Sequence, residues 1–170
     1  SQNWGLDWHR NEGIEICFLE SGNLEFLINN HSYKLQTNDI TITRPWISHK
    51  ICNPNVDLSK LHWLIIDLNI RHPHQTWQWP DWIVLNPTDL EDLTRYLRQN
   101  EQPTWKANTE LRNCFILIGK MIKQSHQKSY DSFLKIQINS ILFLLLELFR
   151  DGNIKLDRSL IERKQTVNLF

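Results

Sequence analysis

The hydrophobic period of this chain changes once, near its middle, and that change limits what it can fold into. Between residues 14 and 68, short β-rich runs at 14–19, 24–28, 33–35, 40–43, 49–52 and 61–68 are separated by turn residues. Such runs read as strands whose successive side chains face opposite ways. Past residue 88 the apolar residues recur every three or four positions instead, as on helix faces. The fold class expected is mainly β with C-terminal helices, an antiparallel β-barrel followed by a helical subdomain. Ser21-Gly22-Asn23 and Asn29-Asn30 tolerate the positive φ of tight hairpins, so the strands are expected to pair locally.

A connection rich in proline and tryptophan follows, from His72-Pro73-His74 through Trp77, Trp79, Pro80 and Trp82, and reads as an ordered crossing that packs its indoles. Thr88 and Glu91 form a capping-box pattern ahead of Leu90, Leu93 and Leu97, which predicts a helix to about Asn100. Leu111, Phe115, Ile118 and Ile122 predict a second helix starting near Asn108. A third is predicted over 130–150, ended by Asp151-Gly152.

In that third helix Leu134, Ile138, Ile141, Leu145 and Leu148 follow the spacing of a coiled-coil seam. Ile136, Phe143, Leu144, Leu146 and Phe149 widen the apolar surface, so the helix needs cover on more than one side. Its own barrel and second helix can supply that cover. So can its own core on one side and a second copy of the chain on the other, which makes the seam the candidate dimer interface. Ser159 and Glu162 repeat the capping pattern, and Leu160, Ile161, Val167 and Phe170 open a further apolar series. Residues 153–170 thus read as a linker or the start of another domain, and the sequence as a fragment cut upstream of it.

Composition narrows the function. With 170 residues, 41% of them apolar, the chain can bury one domain's core. Nineteen basic and nineteen acidic side chains give no long-range pull on phosphate backbones, so direct nucleic-acid binding is not expected. Three cysteines without paired spacing encode neither a disulfide framework nor a zinc knuckle, which fits a cytoplasmic location. The longest apolar run, residues 141–146, is too short to cross a bilayer, and no membrane partner is expected.

Catalytic signatures are lacking. Five glycines stand singly, so no phosphate loop forms, and no Gly-x-Ser-x-Gly elbow occurs. His72-Pro73-His74 reads as an exposed kink. His9, Glu15 and His49 would supply ligands for zinc, iron or manganese if their strands faced one another, with Asp7 as a fourth. That set is one ligand short, and no metal or other cofactor is expected. Eight tryptophans offer flat apolar faces to ring-shaped ligands such as sugars. Trp63 stands out because it lies in a strand, and if it points into the barrel it shares a face with Leu61 and Ile65 while His62 points away.

The runs Gly13-Ile14-Glu15-Ile16-Cys17-Phe18-Leu19-Glu20-Ser21-Gly22, Asn38-Asp39-Ile40-Thr41-Ile42-Thr43-Arg44-Pro45-Trp46-Ile47-Ser48-His49 and Leu61-His62-Trp63 together resemble the cupin-like sensor domain of AraC-family transcription regulators. The resemblance implies a ligand-binding barrel over residues 1–83, a helical dimerisation subdomain over 84–152, and a DNA-binding domain beyond the chain. It implies a homodimer that binds a small-molecule effector and performs no catalysis. By position the pocket candidates are Asp7, His9, Glu15, His49 and Trp63. Asp7 stands where metal-binding cupins have a histidine, and the gap from His9 to Glu15 is longer than theirs, which argues against a metal.

Overall fold

The computed structural model describes residues 8–52, 58–124 and 130–152. Among these, the strands are β1 (Gly13–Ser21), β2 (Leu24–Ile28), β3 (His31–Leu35), β4 (Asp39–Thr43), β5 (His49–Cys52), β6 (Lys60–Asp67) and β7 (Thr104–Lys106). The helices are α1 (Pro87–Gln99), α2 (Thr109–Gln124) and α3 (Asp131–Asp151), with β7 falling between α1 and α2. The expected class, mainly β with C-terminal helices, is what the chain adopts.

Closure and pairing differ from expectation. The strands form two antiparallel ladders, β6-β1-β4-β7 and β3-β2-β5, and among the described residues these do not join into a closed barrel. Among the described residues only β2 and β3 pair as a local hairpin, through Asn29 and Asn30 at φ of 51° and 61°, which is the geometry a two-residue turn requires. Gly22, at φ 96°, carries the chain out of β1 into the other sheet, so β1 and β2 are not partners. β1 pairs instead with β4 and β6, and β2 with β5.

β1 is buried on both faces. Ile14, Ile16 and Phe18 join a core with the helices, whereas Cys17 and Leu19 join a second core with Phe26, Ile51 and Leu35 of the three-stranded sheet. The result is three layers: sheet, sheet, helices. β7 is too short to show a period in sequence, and its burial comes from Trp105, whose ring meets Phe149 of α3 edge-on at 5.3 Å. It extends the four-stranded sheet from within the helical portion, so strands and helices share one core.

The helix starts also differ in detail. α1 is capped by Asn86, whose side chain accepts from the Asp89 amide, with Pro87 in the first turn; the Thr88 and Glu91 pattern lies two residues inside. Asn108 Oδ1 accepts from the Leu111 amide at 2.9 Å, where the second helix was expected to begin. α3 is long and apolar enough to cross a membrane by length and composition. In this structure Ile141, Leu142, Leu145, Leu146 and Phe149 are buried in the core of their own chain. Buried Asn139 clamps the Trp-rich crossing to α3, donating to Trp82 O at 3.1 Å and accepting from Val84 N at 2.7 Å.

This burial divides the expected seam. Ile141 and Leu145 are fully buried inside the chain and so are core residues, unavailable to a partner; Leu134, Ile138 and Leu148 are half-buried. The open side of α3 instead carries Ile136, 62% exposed, and Phe143, 45% exposed. The Ser159 and Glu162 pattern lies outside the described residues.

Candidate functional site

Three of the five pocket candidates meet between the two sheets. Glu15 is on the face of β1 that also carries Cys17 and Leu19, and is therefore turned toward the second sheet. His49 opens β5 on that sheet, and His9 bridges to it by paired backbone bonds of 3.1 Å. Glu15 Oε2 accepts from His49 Nε2 at 2.8 Å, from His9 Nε2 at 3.2 Å and from Asn11 Nδ2, while Oε1 accepts from Cys17 Sγ at 3.3 Å. The imidazoles of His9 and His49 lie edge to face, 4.1 Å apart.

Electrostatics follow from this packing. Burial pushes the Glu15 carboxyl up, but the His49 hydrogen bond and charge, with Cys17 and His9, outweigh it and hold the group at about 2, below its ordinary 4.5. His49 responds oppositely: burial pushes it down, and its bonds to Glu15 and to the Ile47 carbonyl, with the Glu15 charge, raise it above 6.5. Nδ1 lies 2.9 Å from Ile47 O, so both ring nitrogens face acceptors, an arrangement that favours the doubly protonated imidazolium. Burial, then the Glu15 charge, push the Cys17 thiol well up, keeping it protonated.

Sequence reasoning missed Asn11 and Cys17 as partners of Glu15. It also missed Thr41 and Thr43, which alternate with core residues Ile40 and Ile42 and lie opposite Cys17 and Glu15. Their hydroxyls are buried, and neither makes a well-formed hydrogen bond; Thr41 lies beside the Cys17 thiol. The signal was present in the two-residue period of β1 and β4, which assigns both threonines to the Glu15 face.

Trp63 shares that face, being opposite Cys17 across the β1–β6 ladder. It stands outside the hydrogen-bonded cluster, on the free edge of the sheet, and is 54% exposed, next to half-exposed Ile65. His62 points the other way, against Phe18 and Phe115. Asp7 lies outside the described residues. Elsewhere a cleft of about 290 Å³ opens between the β2–β3 hairpin and the segment after α1, with Arg44, Glu101, His31, Tyr33, Ile42 and Ile47 among its lining; His9, Glu15, His49 and Trp63 do not line it.

His9, Glu15 and His49 can also be read as a metal triad, since their ligand atoms lie within 4.8 Å of one another. The Nδ1 contact of His49 with a backbone carbonyl is the kind that orients a ligating imidazole. Against this, Asn11 and Cys17 also donate to the carboxylate and so take up lone pairs that a cation would use.

No family model and no curated protein matches the chain. Solved structures do. Apo ToxT K231A from Vibrio cholerae is similar with a TM-score of 0.52 and 13% identity, covering 92% of this chain and 55% of that one. ToxT with bound unsaturated fatty acid gives 0.45 and 15%, covering 92% and 54%. The AraC-like transcriptional activator CuxR gives 0.49 and 8%, covering 91% and 50%. The chain thus spans about half the length of these proteins, and what it shares with apo ToxT is the fold.

Proposed function

We propose that this chain is the effector-sensing and dimerisation domain of an AraC-type transcription regulator, binding a small molecule between its two sheets. The observation that carries this reading is the pair of buried threonine hydroxyls on the face that also bears Glu15: Thr43 has no hydrogen-bond partner among the described residues, and Thr41 has only the Cys17 thiol beside it. Unpaired buried polar groups are costly, and a ligand with hydroxyl or carboxyl groups would pair them. Half-exposed Trp63 at the sheet edge offers a ring-stacking face, which favours a carbohydrate. His9, Glu15 and His49 set the shape and charge of the site.

Residues 1–83 form the sensor and 84–152 the dimerising portion in this reading, with 153–170 leading on. The protein works in the cytoplasm, DNA is contacted only by a further domain, and no bond is broken. Signalling is a difference in effector affinity between two arrangements of sheets and helices. A thermal-shift series over sugars, sugar acids, aromatic acids and an unsaturated fatty acid tests it. A specific binder raises the melting temperature with the logarithm of its concentration, and Thr43→Val removes the rise. A series with no shift, or a shift indifferent to Thr43→Val, overturns the reading.

The convergence of His9, Glu15 and His49 supports a second reading, a metal-dependent cupin. The triad would hold a divalent cation as two imidazoles and one carboxylate, supplying Lewis acidity. Stoichiometric metal in the purified protein, with a melting temperature lowered by chelator, would favour it; neither would remove it.

A further inference from the structure

Arg98 carries a guanidinium whose charge the chain itself does not match. It stands in the last turn of α1, four residues after Thr94 on the same helix face, and its head lies over the Trp77 ring, 5.6 Å from the centroid. Among the described residues it makes no ion pair. Burial lowers its pKa from the ordinary arginine value, and no carboxylate offsets that. The other arginines nearby in sequence are committed: Arg95 pairs with Asp92, and Arg71, just ahead of the Trp-rich crossing, pairs with Glu12. A half-buried charge without a counter-charge costs free energy, which an arriving anion would offset.

The indole beneath this head is held in place. Trp79 Nε1 donates to Thr94 Oγ1 at 2.8 Å, and the Trp77 and Trp79 rings meet edge to face, 6.3 Å apart. Both indoles pack against the core shared by the four-stranded sheet and the helices. Arg44 Nη1 donates to Arg98 O at 2.7 Å and so fixes the backbone from which the Arg98 side chain rises. A guanidinium on a fixed platform presents a planar fork of N–H donors, the shape that receives both oxygens of a carboxylate in parallel. One unmatched positive charge calls for one negative charge, which fits a carboxylate better than a phosphate. Half-buried Trp77 adds an apolar surface for the body of such a ligand.

We propose that Arg98 and Trp77 form a binding site for a small monocarboxylate with an aromatic body. The carboxylate meets the Arg98 fork and the ring lies on Trp77. This site is on the helix side of the four-stranded sheet, apart from the Glu15 face, and stands or falls independently of the reading above.

NMR titration of the isotope-labelled chain with benzoate, benzamide and inorganic phosphate tests the assignment, because benzamide keeps the ring without the charge and phosphate the charge without the ring. The reporter is the indole N–H resonance that Trp77→Phe deletes. Benzoate is expected to shift it saturably, and benzamide and phosphate to bind about tenfold more weakly or worse. Arg98→Gln abolishes the shift. Arg98→Lys, which retains the charge and loses the fork, weakens benzoate about tenfold and carries the test where Arg98→Gln does not fold. Thr43→Val, on the Glu15 face, leaves the titration unchanged. Absence of a saturable shift, benzamide or phosphate equal to benzoate, full affinity in either Arg98 variant, or loss through Thr43→Val would each overturn the proposal.

Discussion

His49 and Glu15 form a buried pair across the two sheets, Nε2 to Oε2 at 2.8 Å, and the Ile47 carbonyl 2.9 Å from Nδ1 favours the protonated imidazole. The pair links β1 of one ladder to β5 of the other and draws His9 and Asn11 to the same oxygen. A carboxylate with four donors is well compensated for its burial, and losing any one of them leaves charge uncovered.

Stability should therefore depend on pH from both sides. Glu15, depressed from 4.5 to about 2, contributes stability that is present above 4.5 and is lost as pH falls toward 2. At about 1.4 kcal/mol per pKa unit, this contribution is on the order of 3 kcal/mol. His49, raised above 6.5, contributes stability that is present below 6.5 and is lost as pH rises through its raised folded value. Urea midpoints should peak between these limits. Glu15→Gln should flatten the acid limb, and an unchanged acid limb in that variant would refute the assignment.

Charge placed on the two sides of α3 should give different outcomes. Leu145 is fully buried, so Leu145→Asp puts an unpaired charge into the core and should abolish the cooperative thermal transition. Phe143 is 45% exposed, so Phe143→Glu should leave the fold intact. If the open side of α3 is the dimer surface, sedimentation of Phe143→Glu will show a folded monomer where the parent chain is a dimer. A folded Leu145→Asp protein would contradict the core assignment.

Helix capping gives a sharp contrast between neighbouring residues. Asn86 supplies the side-chain acceptor for the Asp89 amide at 2.8 Å, so Asn86→Ala should cost about 1 kcal/mol in chemical denaturation. Thr88 lies inside the first turn and is exposed, so Thr88→Ala should cost little or nothing. Equal losses would mean that the cap is shared.

Two glycines should differ for reasons of contact alone. A Cβ on Gly13 would fall 1.9 Å from the Ile66 carbonyl oxygen, which is backbone in the adjacent strand and cannot give way. On Gly119 it would fall 2.6 Å from His62 Cε1, part of a side chain that can swing off Phe115. Gly13→Ala should then destabilise by about 3 kcal/mol or more and Gly119→Ala by about 1 kcal/mol, read from melting curves. The reverse order would mean that β6 yields more easily than the His62 ring.

Much of the secondary structure was legible because period is a local property. Residues 24–28 and 49–52 become strands over the expected spans, and Gly152 ends α3 next to Asp151. Parity along β1 and β6 likewise put Trp63 and His62 on opposite faces. Convergence of His9, Glu15 and His49 was conceivable from sequence only as a condition, because it depends on which strands face each other. β7 escaped notice since three residues carry no period, and its stabilising contact, Trp105 on Phe149, joins residues 44 positions apart.

The order of turns and stripes along the chain determined by itself that a strand-rich front would be followed by amphipathic helices, since each element answers to neighbours within a few residues. Tertiary structure alone decided that the two ladders do not join among the described residues, that Ile141 and Leu145 belong to the interior, and that Trp63 sits on an edge strand. Pairing partners and the cover over a face are set by residues far away in sequence, through the apolar area and charge they bury together, and no local pattern records that choice.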